Sequence, residues 1–171
     1  GGKAFAMALK KNKHLVALWI GRNQLGPDVG ITLAKALRVN TALTFLDLRE
    51  NQLGNVFCAL LSSIVRQNRS WTSLGLAANN FSGDATVALT EALSASHSLT
   101  SVDVSSNVLA PGTGAHLAAL VGSTVGARSS ALTSLNLAHC IGTDASSTSP
   151  TAPSTLEFAQ ALNSNCALTS L

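Results

Sequence analysis

In the stretch from Leu43 to Leu53, LTFLDLRENQL, apolar residues fall at the first, fourth, sixth and eleventh positions and Asn at the ninth. The same eleven-residue phrase recurs as LVALWIGRNQL (15–25), WTSLGLAANNF (71–81) and LTSVDVSSNVL (99–109), and a degraded copy, LTSLNLAHCIG, spans 132–142. The first four phrases begin at residues 15, 43, 71 and 99, each 28 after the last. Their fourth and sixth residues (Leu18 and Ile20, Leu46 and Leu48, Leu74 and Leu76, Val102 and Val104, Leu135 and Leu137) alternate with mostly polar or small ones. A period of two predicts a strand with one side inward. About seventeen residues then lead to the next phrase, and there the spacing becomes helical. Leu33 and Leu37, Leu61 and Val65, and Leu89 and Leu93 are i, i+4 pairs that lay one apolar stripe along a helix. A strand–helix unit of this length cannot bury its apolar face alone, so the units must stack on copies of themselves.

These phrases, followed by Leu33-Ala34-Lys35-Ala36-Leu37 and Asn40, resemble leucine-rich repeats. The likeness is to the long, helix-containing subtype typified by ribonuclease inhibitor and found in intracellular immune sensors, Ran GTPase-activating proteins and actin-regulating scaffolds. It covers nearly all 171 residues. It implies an α/β leucine-rich repeat solenoid, a horseshoe with parallel strands on the concave face and helices on the convex face. The expected organisation is a single domain with repeats at 15–42, 43–70, 71–98, 99–131 and 132–167 and partial repeats at both ends. Phe5, Leu9 and Asn12 sit where Leu33, Leu37 and Asn40 sit one unit later, and Leu168-Thr169-Ser170-Leu171 opens a sixth phrase. With no polar cap at either end, the chain is expected to be a piece of a longer array.

Composition adds constraints. The chain is 46% apolar and 11% charged, enough to bury a sizeable core. Cys58, Cys140 and Cys166 lack framework spacing and leave one unpaired, which favours a reducing compartment and a cytoplasmic or nuclear location. No signal peptide is visible, and the longest apolar run, Val56 to Val65, is too short to cross a membrane. In a chain rich in Asn, Ser and Thr, the glycosylation triplets at Asn68 and Asn80 are expected by chance. Residues 1–69 hold ten of the eleven basic residues against three acids, a net of +7; residues 70–171 carry a net of −4. Lys10, Arg38 and Arg66 are 28 apart and form one column near the helix ends, where cations favour the helix dipole. No aromatic residues interleave with them, so nucleic acid is not an expected partner.

The ninth-position residues Asn23, Asn51, Asn79 and Asn107 form a second column. An amide there offers both a donor and an acceptor to turn backbone lacking a ladder partner, so the column is expected to be structural. Cys140 replaces Asn in the fifth phrase, and a weaker-bonding thiol predicts a looser turn. The fourth and fifth units are also longer. The insertion GTDASSTSPTAPST (142–155) has the composition of a surface loop, with Ser149-Pro150 a candidate modification site.

Catalytic and metal signatures are missing. Gly112-Thr113-Gly114 lacks the rest of a phosphate-cradling loop, and His14, His97, His116 and His139 form no ligand spacing. No catalytic residue, metal or cofactor is expected. What remains is the inner strand face. Its third, fifth, seventh and eighth phrase positions are Ala17, Trp19, Gly21 and Arg22, then Phe45, Asp47, Arg49 and Glu50, and smaller groups from Ser73 and Gly75 onward. Trp and Arg are the residues most often found at interface hot spots. The expected partner-binding site is therefore Trp19 and Phe45, ringed by Arg22, Asp47, Arg49 and Glu50, on a scaffold that binds another protein. The family resemblance adds two alternatives: a GTPase-activating domain using Arg22 and Arg49, and a ligand-sensing array of a larger receptor.

Overall fold

The computed structural model describes residues 1–122, 131–140 and 169–170. Helix α1 (Gly2–Lys11) is followed by strand β1 (Ala17–Trp19), helix α2 (Pro27–Leu37) and strand β2 (Phe45–Asp47). Helix α3 (Gly54–Gln67), strand β3 (Ser73–Gly75), helix α4 (Asp84–Ser94) and strand β4 (Ser101–Asp103) continue the alternation. A 3-10 turn (Pro111–Thr113) leads into helix α5 (Gly114–Val121), and strand β5 (Ser134–Asn136) closes the described sheet. The strands form one parallel sheet in chain order, β1-β2-β3-β4-β5. Its register follows the phrase: Leu18 pairs with Leu46, Leu46 with Leu74, Leu74 with Val102 and Val102 with Leu135. This is a leucine-rich repeat solenoid, with strands on one face and helices on the other.

The core lies between the two layers. Leu46, Leu74, Val102 and Leu135 are at most 1% exposed, as are Leu33, Leu37, Leu61, Val65, Leu89 and Leu93 from the helices. Each such side chain, buried from water, contributes about 1.5–3 kcal/mol. Local signals set the helix ends. Pro27 opens α2, where a missing N–H costs nothing, with Asp28 in its first turn and Lys35 in its last.

The strands are three residues long, yet the ladder runs further. Ile20 N–H donates to Asp47 O (2.9 Å), Leu48 to Gly75 O (2.8 Å) and Leu76 to Asp103 O (2.7 Å). Two residues on, Arg22 donates to Arg49 O, Glu50 to Ala77 O and Ala78 to Ser105 O. The ladder ends at this eighth position because the backbone there turns left-handed. φ is 61° at Arg22, 52° at Glu50 and Ala78, and 55° at Ser106 and His139. Gly142, the 142–155 insertion with Ser149-Pro150, and Cys166 lie outside the described residues.

The strand-face site and the ladders that hold it

Trp19 and Phe45 lie diagonally across the β1–β2 pair, since Ala17 is the residue opposite Phe45. A diagonal neighbour is within reach of an aromatic ring. The small Ala17 leaves room for the two rings to meet, with centroids 4.7 Å apart and planes at 37°. Phe45 is half-buried by this contact, while Trp19 stays 64% exposed. The pair therefore leaves most of an indole in water, a large apolar area for a strand residue.

Further along the same two phrases, four charged groups form two intramolecular pairs. Arg22 Nη2 lies 2.7 Å from Glu50 Oε1, and its Nε donates to the same oxygen at 2.8 Å. Arg49 Nη2 and Nε meet Asp47 Oδ2 at 2.6 and 2.7 Å, while Arg49 N–H donates to Oδ1 at 3.0 Å. Hydrogen bonding to the carboxylate, and then its charge, raise each guanidinium above its ordinary pKa, from Glu50 for Arg22 and from Asp47 for Arg49.

Asp47 departs from the expected ring of exposed charges, being only 4% exposed. Its neighbours explain this. A Cβ on Gly75 of β3 would stand 3.1 Å from Asp47 Oδ1, and one on Gly21 would stand 2.9 Å from Arg49 Cγ. Glycines in both flanking units, Gly75 within β3 and Gly21 just past β1, let the carboxylate lie down on the sheet and Arg49 fold over it. Asp47 thus orients Arg49, and the accessible groups are Trp19, Phe45, Arg22, Glu50 and Arg49. From β3 onward the face is low, with Ser73, Gly75 and Ser101 on its surface. Asp103 and Asn136 repeat the Asp47 turn, each accepting a hydrogen bond at 3.0 Å from the backbone two residues on, at Ser105 and Ala138.

The ninth-position amides hold the turns beneath this face. Asn107 Nδ2 donates to Leu76, Val104 and Ser105 carbonyls, and its Oδ1 accepts from Asn79 and Phe81 N–H. Asn51 behaves alike, accepting from Asn23 and Leu25 and donating back to Ile20 and Leu48. Asn23, at the exposed end, donates to Ile20 and Gly21 carbonyls. Asn79 differs: its Nδ2 makes three bonds, but its buried Oδ1 has no partner among the described residues. In that turn Gln52 N–H is taken by Leu25 O and Gly54 N–H by Asn79 O, with Gly54 at φ 71°. Cys140 keeps one bond of the pattern, Sγ donating to Val104 O at 3.3 Å, and burial pushes its thiol pKa up.

Two further columns escape a reading by phrase. Thr72, Thr100 and Thr133, at the second phrase position, each donate a hydroxyl to the carbonyl of the threonine before, Thr44, Thr72 and Thr100, at 3.2, 3.0 and 3.1 Å. Thr44 begins the series on Val16 O and Thr169 extends it to Thr133 O. Asn12, Asn40 and Asn68, after the helices, each accept two backbone N–H groups from the turn into the next phrase. Ser96 stands where the next Asn would, and its buried Oγ has no partner among the described residues. The 28-residue spacing of both columns was the available signal.

Among the described residues, no group of three or more His, Cys, Asp or Glu is placed to hold a metal, and no helix is long and apolar enough to cross a membrane. A family model described as leucine-rich repeat matches residues 39–56. No curated protein sequence matches the chain. Solved structures with a similar fold include two domains of named function or origin. One is the actin-binding site 2 of leiomodin-1, at TM-score 0.65 and 15% identity, covering 94% of this chain and 86% of that one. The other is the tropomodulin C-terminal domain of Caenorhabditis elegans, at TM-score 0.68 and 12% identity, covering 96% and 92%. With the family match lying across the turn into β2, that strand and the start of α3, and the same register carried through five strands, this chain has the leucine-rich repeat fold.

Proposed function

We propose that this protein is an interaction scaffold that holds a partner protein against its strand face, with Trp19 and Phe45 as the anchor. The observation that carries this reading is an indole left 64% exposed on a sheet face, stacked on a second ring and bordered by fixed charges. Solvent-exposed aromatics of this size gain most when a partner covers them, and a ring of polar groups around them excludes water. The alternative of a GTPase-activating surface is weaker. It needs a guanidinium free to meet developing phosphate charge, whereas Arg22 and Arg49 are each committed to a carboxylate.

One of the similar solved structures named above is an actin-binding site, which makes actin the first partner to try. Bead-bound protein would be offered actin and then a cell extract, and the affinity of any specific binder measured. Trp19→Ala is expected to weaken that binding by about 2 kcal/mol or more, near thirtyfold. Ser73→Ala, on the low part of the same face, is expected to leave it unchanged. A partner that binds the Trp19→Ala protein as tightly as the parent would overturn the proposal.

A further inference from the structure

The rim where helices end and the chain turns towards the next strand holds unneutralised positive charge. Two of its cations are spent. Lys13 Nζ donates to Val39 O at 3.1 Å, and Arg66 Nη2 lies 2.7 Å from Glu91 Oε2. Arg38, at the C-cap of α2, and Arg69, beyond the end of α3, are exposed and meet no carboxylate or carbonyl among the described residues. They line one cleft of about 460 Å³, together with the side chains of Thr41 and Gln67, which also make no hydrogen bond among the described residues. The cleft sits between turns that Asn40 and Asn68 pin from inside.

Helix-dipole stabilisation explains a cation in a last turn, as for Lys10 and Arg66. It does not explain Arg69. Asn68 leaves the helix with extended backbone, φ −73° and ψ 134°, so Arg69 has already left the helix when it reaches the cleft. Two unpaired guanidiniums on one concavity, beside an unused hydroxyl and an unused amide, form a recognition surface for anionic oxygens. Guanidinium forks match carboxylate and phosphoryl groups in two-point contacts.

We infer that this cleft binds an acidic segment of a partner protein, with two anionic side chains of the segment each meeting one of Arg38 and Arg69. The site is separate from the strand face and stands whether or not Trp19 is an anchor. The anions are either Asp and Glu carboxylates or phosphorylated Ser and Thr, and one experiment separates them. Three labelled peptides of one sequence, carrying two Glu, two phosphoserines or two Gln, are titrated against the 171-residue protein by fluorescence anisotropy in low salt. At least one anionic peptide is expected to bind well above the Gln peptide, and the tighter of the two names the source. The Arg38→Ala, Arg69→Ala double variant is expected to weaken that binding at least about tenfold. Lys10→Ala with Lys11→Ala, at the helix end one unit before Arg38 but outside the cleft lining, is expected to change it less than about twofold. Equal binding of all three peptides would overturn the inference. So would a lysine double variant as damaging as the arginine one, which would reveal a diffuse field in place of a site.

Discussion

At the eighth position of each phrase the backbone is left-handed, and no glycine stands there. Arg22, Glu50, Ala78, Ser106 and His139 all hold φ between 52° and 61°. For an ordinary residue that conformation costs about 1–2 kcal/mol, and the turn keeps it because the ninth-position amide needs that geometry to reach its carbonyls. Ala78 has no side-chain bond to offset the strain. Ala78→Gly is therefore expected to raise stability by about 0.5–1 kcal/mol in urea unfolding, the relief exceeding the added freedom of the unfolded chain. Ala77→Gly, one residue earlier at negative φ, is expected to lower it. Cys58 gives a second test at this scale. It is fully buried and donates to Ala85 O, and burial pushes its thiol from 9.0 up to about 12. A raised folded-state value means that stability is intact below pH 9, where the unfolded thiol is also neutral. It is lost as pH rises from 9 towards 12, by up to about 1.4 kcal/mol per pH unit. Unfolding measured from pH 8 to 11 is expected to show that slope, and Cys58→Ala to reduce it, leaving the smaller part that the raised Cys140 thiol contributes.

Among the elements, the turns differ more than the strands do. Asn107 uses both ends of its amide in five bonds, whereas Cys140 makes one weak donation at the corresponding place. In a solenoid, nearest-neighbour interfaces set local stability, so β5 is expected to open before β2. Hydrogen exchange of Leu135 and Leu137 amides is expected to outpace that of Leu46 and Leu48, and equal protection would count against the difference. How far such features can be read from sequence depends on whether they repeat within one phrase or act between phrases. The strands centred on Leu18, Leu46, Leu74, Val102 and Leu135 follow directly from the period of two, and the helices from pairs such as Leu33 and Leu37. The burial of Asp47 does not, because it depends on Gly21 and Gly75 in two other units. Nor does the unpartnered oxygen of Asn79, which arises from how Gly54 opens α3 in the unit before. The threonine column was spaced as regularly as the asparagines. Each Thr looked like an ordinary outward strand residue until its hydroxyl was seen to donate along the sheet.

For the whole molecule, the sheet face is uneven by design of its sequence: tall and charged over β1 and β2, low from β3 onward. Trp19 and Phe45 were legible as candidates because large aromatics stand out at strand-face positions. Which neighbouring charges remain accessible was not, since pairing folds Asp47 beneath Arg49. The chain contains two tryptophans in opposite settings, Trp19 at 64% exposure and Trp71 at 1%. That contrast supplies the most direct test of the strand-face claim. Once a partner is in hand, brief hydroxyl-radical labelling read by mass spectrometry would compare the free protein with the complex. The account predicts that Trp19 is oxidised readily when free and at least about fivefold less in the complex, while Trp71 stays unlabelled in both. Equal labelling of Trp19 with and without a saturating partner would contradict it.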